Sequence, residues 1–137
     1  HGIPLYELLS DKIKDKEIYF ISGRISADER EEIRHRAELI NNIVIIASYG
    51  TYSTGINIKN LDNIIFASPT KSRIRSLQSI GRALRKSNNN KIAVLYDIVD
   101  DLRYKKYVNF VCRHFYKRLD IYNEEQFKFK INNIDIK

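Results

Sequence analysis

Ile43-Val44-Ile45-Ile46-Ala47 is apolar at every position. A strand open to water on one side alternates apolar with polar residues, so a run that is apolar on both faces suits a strand inside a parallel sheet. The segments around it alternate in kind. Upstream, Ile18-Tyr19-Phe20-Ile21 is a short β-rich run ended by Ser22-Gly23. Ser26 then opens a helix, and Glu29 three residues on completes a capping box. Asp28, Glu29, Glu31 and Glu32 load its first turns with acids, as the macrodipole favours. Ile33, Ala37 and Ile40 give it a buried stripe, and Asn41-Asn42 closes it. Residues 3–14 read as an earlier helix, with Leu5, Leu8, Leu9 and Ile13 at helical spacing. Downstream come a loop of small residues (48–57), a strand (63–67), a helix opened by Pro69-Thr70 and running to about Lys86, a turn (87–90) and a fourth strand (91–97). Strand and helix alternate, which makes the class α/β with a parallel sheet and right-handed crossovers. Residues 104–119 are expected to form a last amphipathic helix, with Tyr104, Tyr107, Val108, Val111 and Phe115 on one face. Gln126 to Lys130 alternates Phe127 and Phe129 with lysines, the pattern of a half-exposed edge strand.

The chain of 137 residues suits one domain, and its 43% hydrophobic and 30% charged residues suit a packed core under a polar surface. No apolar run approaches the roughly 20 residues that span a bilayer. The lone Cys112 excludes an internal disulfide framework, and His1, His35 and His114 show no metal-ligand spacing with it, so no metal site is expected. There is no Met and residue 1 is His, so the chain reads as a piece of a longer protein. The net charge is +7, from 24 bases and 17 acids. Residues 63–96 contain no acid but hold Lys71, Arg73, Arg75, Arg82, Arg85, Lys86 and Lys91; the remaining 17 bases balance the 17 acids. All of the excess charge therefore sits in one segment. An unmixed cationic block points to a polyanion, whether nucleic acid, nucleotide phosphate or an anionic membrane, the alternative being a basic surface with no dedicated ligand.

That segment carries the helix over residues 70–86. At about 100° per residue, Ile74, Leu77, Ile80 and Leu84 make the core stripe. Lys71, Arg75, Gln78, Arg82 and Arg85 crowd a neighbouring arc of about 80° with no acid among them. Like charges one turn apart repel, so this face is expected to meet phosphate. Gly81 lies between the two stripes, where glycine costs about 1 kcal/mol against alanine. Its use is close approach by another backbone or a ligand.

These residues carry a resemblance. Gln78-Ser79-Ile80-Gly81-Arg82-Ala83-Leu84-Arg85 resembles motif VI of the superfamily 2 helicases, Q-x-x-G-R-x-x-R. Ser48-Tyr49-Gly50-Thr51-Tyr52-Ser53-Thr54-Gly55-Ile56-Asn57, followed by Lys59-Asn60-Leu61, resembles motif V. Tyr96-Asp97-Ile98-Val99-Asp100-Asp101 after motif VI is similar to the phage UvsW-type recombination helicases. The likeness is close over residues 18–101 and looser in the tail. Both motifs in order on an α/β pattern are a more specific signal than a lone G-R-x-x-R.

The resemblance implies the C-terminal RecA-like domain of such a helicase over residues 1–101. This would be a three-layer parallel sheet flanked by helices with its first strand truncated. Residues 102–137 would add a helix and an edge strand packed on the same domain. It implies ATP with Mg2+ as cofactor, held mainly by an N-terminal RecA-like domain of the same protein. It implies DNA as partner, branched or at single-strand/duplex junctions, in recombination and repair. No membrane partner is expected, and the implied compartment is the cytoplasm, that of a host cell if the protein is viral. Arg82 and Arg85 are implied to be arginine fingers, with Gln78 monitoring the γ-phosphate and Gly81 letting the two domains approach. Gly55 and Asn57 are implied at the nucleotide, and Ser53 and Thr54 at DNA phosphate. Asn57 departs from the Asp that many relatives carry near the ribose. The charge reading adds Lys71, Arg73 and Arg75 as contacts to the DNA backbone. By itself the chain is expected to be inactive, lacking the other half of the site.

Two lookalikes fail. Gly50-x-x-x-x-Gly55 imitates a phosphate loop, but Ile56-Asn57 stands where Lys-Ser/Thr is required. The apolar strand ending in Asp97 imitates a magnesium-binding strand but follows the finger helix, so Asp97, Asp100 and Asp101 read as structural or interdomain acids. Lys105, Lys106, Arg113 and Lys117 form a second basic cluster, read as a solvated helix face. The rival from another class is a non-catalytic nucleic-acid-binding module that uses the basic helix only for phosphate.

Overall fold

The computed structural model describes residues 2–48, 50–51, 58, 61–67, 93–102 and 104–135. These fall into two compact units, one of residues 2–63 with 93–94, the other of residues 64–67 and 95 onward.

In the first unit β1 (Glu17–Ile21) and β2 (Ile43–Ala47) pair in parallel, with Glu17 opposite Ile43 and Ile21 opposite Ala47. Parallel neighbours need a crossover of a dozen or so residues, and α2 (Ala27–Leu39) provides it. Successive strand side chains face opposite ways. Phe20 faces α1 (Gly2–Lys12). A Cβ on Gly2 would lie 2.6 Å from Phe20 Cε2, so glycine lets the ring lie against the helix, and the Tyr6 ring stands 6.2 Å away. Ile21 takes the other face with Ile43, Ile45 and Ala47, against Ile33 and Ala37 of α2. Ile21 is fully buried, and Ala37 and Ile58 are each 3% exposed. A helix therefore covers each face of the strand pair, which is why β2 is apolar throughout. Leu5, Leu9 and Ile13 are half-buried as their spacing implies, whereas Leu8 is 50% exposed.

The start of α2 follows its sequence signal. Ser26 Oγ accepts from the Glu29 N–H at 3.2 Å, and the Ser26 N–H donates to Glu29 Oε2 at 3.0 Å. Near the far end of α2, Arg36 grips Glu17 with both arms, Nε at 2.9 Å and Nη2 at 2.6 Å. The Tyr19 hydroxyl adds a bond to the same carboxylate at 2.8 Å. Together they hold the Glu17 carboxyl down at about 2, the Arg36 bond contributing most.

In the second sheet β3 (Asn63–Phe66) lies beside β4 (Val94–Asp97). The Val94 N–H donates to Asp62 O and the Ile98 N–H to Phe66 O. The two bonds advance in the same direction along both strands, as in a parallel pair. The helix expected over 70–86, the turn over 87–90 and residues 91–92 lie outside the described residues.

The last helix, α3, spans Phe110–Glu124 rather than 104–119. Two local arrangements displace its start. Tyr104 and Tyr107 bond each other's backbones at 3.1 and 2.9 Å across a two-residue turn, with Lys105 in the left-handed region at φ 53°. Asn109 spends its side chain on the segment before the turn, accepting from the Leu102 N–H at 3.2 Å and donating to Asp100 O at 2.8 Å. Tyr104 and Tyr107 therefore leave the expected buried face, which consists instead of Cys112, His114, Arg118, Ile121 and Tyr122. The edge strand expected over 126–130 is also replaced. Gln126 adopts φ 56°, the Phe127 N–H donates to Tyr122 O and the Gln126 N–H to Asn123 O. That is a Schellman stop, with its usual apolar contact supplied by Phe127 against Tyr122 at 6.3 Å. Phe129 also packs on Tyr122, at 5.9 Å, so both rings serve the helix end rather than a sheet face.

Candidate functional site

Open α/β sheets bind ligands beyond the carboxyl ends of their strands. β2 delivers the chain to that position at Ser48. The Ser48 hydroxyl accepts from the Thr51 N–H at 3.3 Å and lies 2.7 Å from Thr51 Oγ1, capping a helical turn that begins at Gly50 and Thr51. A side-chain oxygen here satisfies one of the donors a helix start leaves open. Thr51 is 6% exposed, and Ile58 sits in the core with Ile21 and Ala37. The motif V stretch is thus anchored at both ends, by a buried threonine and a buried isoleucine, on the carboxyl side of a parallel strand. Its middle, with Ser53, Thr54, Gly55 and Asn57, lies outside the described residues. So do Lys71, Arg73, Arg75, Gln78, Gly81, Arg82 and Arg85.

Asp97, at the carboxyl end of β4, has a clear place. Its carboxylate accepts from Arg118 Nε at 2.7 Å and Nη2 at 2.9 Å, and from the Tyr122 hydroxyl at 2.9 Å. The Asp97 and Arg118 side chains are only 9% and 7% exposed. Burial first, and then the Asp97 charge, push the Tyr122 hydroxyl well above its ordinary value. This pairing ties α3 to the end of β4 and gives Asp97 the structural role its position suggested. Arg118 and Tyr122 were not legible as its partners. The only trace in the sequence is their spacing of four, which puts them on one helix face. Among the described residues no group of three or more His, Cys, Asp or Glu side chains is placed to hold a metal ion. No described helix is long and apolar enough to cross a membrane.

A parallel strand pair crossed by a helix, with the 48–57 stretch beginning at the end of β2 and the Q-x-x-G-R-x-x-R stretch following β3 in sequence, fits the C-terminal motor-domain class of helicases. The chain belongs to the family described as the helicase conserved C-terminal domain, whose family model matches residues 4–87; a RecA-like α/β fold goes with it. It is 34% identical over 146 residues to the ATP-dependent DNA helicase uvsW of Enterobacteria phage T4, an alignment covering 99% of this chain and 29% of that protein. It is 29% identical over 82 residues to putative helicase 22 of a Sulfolobus islandicus filamentous virus, covering 58% of this chain and 14% of that protein. The chain thus spans less than a third of the length of either relative. No solved structure gives a significant match.

Proposed function

We propose that the chain is the second motor domain of an ATP-dependent superfamily 2 DNA helicase. The whole protein would remodel branched DNA, by unwinding, annealing, junction migration or fork regression, in recombination and repair in a host cell's cytoplasm. The observation that carries this reading is that the family match over residues 4–87 takes in both the 48–57 and the 78–85 stretches. The likeness to a phage DNA helicase supports DNA as the substrate.

In this reading the domain is a three-layer sheet, of which β1, β2 and their two covering helices are one part. ATP with Mg2+ is held mainly by an N-terminal RecA-like domain, and when bound it supplies the phosphoanhydride whose cleavage drives movement on DNA. Arg82 and Arg85, three residues apart in sequence, donate to the γ-phosphate from across the cleft. A guanidinium suits this work because it stays charged and presents a fixed fork of donors to spreading phosphoryl charge. Gln78 reads the same phosphate, and Gly81 allows the close approach. Gly55 and Asn57 line the nucleotide side of the motif V loop. Ser53 and Thr54 contact DNA phosphate, as do Lys71, Arg73 and Arg75 without regard to sequence.

The test is Arg82→Ala and Arg85→Ala in the full-length protein. ATP turnover should fall about a thousandfold or more, the range of arginine-finger effects, with DNA affinity largely kept. Loss of DNA affinity with turnover retained would assign the helix to a non-catalytic binding module instead. The 137-residue chain alone should show no ATP turnover.

A further inference from the structure

Tyr104 and Tyr107 are 68% and 78% exposed. They form a directly opposed backbone pair, each bonding the other. Side chains of opposed residues in an antiparallel pair lie on one face with Cβ atoms about 5 Å apart. Two exposed tyrosine side chains thus leave the same face of the backbone pair, flanking a turn made by Lys105 and Lys106. Lys105 Nζ lies 5.3 Å from the centre of the Tyr104 ring. Three residues past the turn in sequence, Phe110 is 57% exposed, with the Arg113 guanidinium 5.9 Å from its ring centre. Residues 102–119 contain no acid and hold Arg103, Lys105, Lys106, Arg113, Lys117 and Arg118. Of these Arg118 is neutralised by Asp97. Asp100 and Asp101 precede the stretch and Asp120 follows it.

Flat rings with a cation beside them and no acid between match the chemistry of a single-stranded nucleic acid. Bases stack on aromatic faces, and phosphates pair with lysines. A protein partner of comparable chemistry would face an unmixed positive surface, which protein interfaces deplete at their core. The turn also holds Lys105 at φ 53°, where glycine or asparagine is the easier occupant.

We propose that Tyr104-Lys105-Lys106-Tyr107, with Phe110, is a stacking platform for unpaired bases of a single strand, separate from the motif V and motif VI stretches. It rests on the reading that the whole protein works on nucleic acid, and the measurements below separate the two. Fluorescence anisotropy of labelled oligo(dT) and of blunt duplex is recorded with the full-length protein carrying this chain. Circular dichroism confirms that each variant is folded. The pair Tyr104→Ala with Tyr107→Ala should weaken oligo(dT) binding about tenfold or more and leave duplex binding unchanged. The pair Tyr104→Phe with Tyr107→Phe, which keeps both rings, should restore it. Lys105→Gly, which suits the backbone at that position, and Lys106→Gln each remove one cation from the strand's phosphates. Each should lower the slope of log affinity against log salt by about 0.7. Alanine variants that bind oligo(dT) like wild type, or lose duplex binding equally, overturn the platform. So does a phenylalanine pair that fails to rescue. A wild-type protein that binds neither oligonucleotide overturns the nucleic-acid reading itself and the platform with it.

Discussion

Arg118→Met should be among the most destabilising single changes in this chain. Among the described residues, Arg118 supplies two of the three hydrogen bonds that reach the Asp97 carboxylate, and both side chains are less than 10% exposed. Without Arg118 the one partner left to the carboxylate among the described residues is the Tyr122 hydroxyl. Removing one partner of a buried pair costs about 3–5 kcal/mol, because a buried charge is left uncompensated. That is a large share of the roughly 5–15 kcal/mol that holds a domain together. With a urea slope of about 2 kcal/mol per M, a loss of about 4 kcal/mol lowers the unfolding midpoint by about 2 M. The double variant Asp97→Leu with Arg118→Met should recover most of this. It removes both charges and also the Arg118 Nη1 that is buried without a hydrogen-bond partner. Urea unfolding followed by circular dichroism on wild type, both single variants and the double variant gives the coupling directly. A single-variant shift under about 0.5 M, the size expected of an exposed ion pair, would refute the reasoning. So would a double variant no better than the worse single one.

Two further outcomes follow from the first unit. Ser26→Ala removes the oxygen that accepts from the Glu29 N–H and should cost about 1 kcal/mol, lowering the thermal midpoint by about 4 °C in a scanning calorimeter. Glu17 titrates at about 2 instead of its ordinary 4.5 because Arg36 and Tyr19 bond its charged form. A depressed carboxyl stabilises the folded state fully above about pH 4.5 and loses that contribution as the pH falls toward 2. Glu17→Gln should flatten the stability profile across that window in acid-unfolding curves; an unchanged acid limb would show that the Arg36 pair does not operate in solution.

Much of the fold was legible because its signals are short-range. The capping box needs only Ser26 and Glu29, and it forms as written. The apolar run at 43–47 becomes β2 without a shift of one residue. Its parallel neighbour follows from the helix between them. The tail was misread for the same reason. Tyr104, Tyr107, Val111 and Phe115 match a helical period, and Phe127 and Phe129 match a strand period, but period alone does not say which side of the pattern meets a partner. The turn at Lys105, the side chain of Asn109 and the left-handed Gln126 decide those segments, and each acts through backbone bonds that no alternation of residue types records.

For the candidate site, the sequence supplied the motif stretches, the acid-free basic segment and the structural reading of Asp97. By itself it determined which residues are the candidates for phosphate chemistry, because motifs and charge blocks are contiguous along the chain. Only the tertiary structure decided that Glu17 meets Arg36 and that Asp97 meets Arg118 and Tyr122. It also decided that two tyrosines face solvent beside two lysines. Those outcomes join residues about twenty positions apart or turn on which face is left uncovered, and both depend on how whole elements pack rather than on any local preference of the chain.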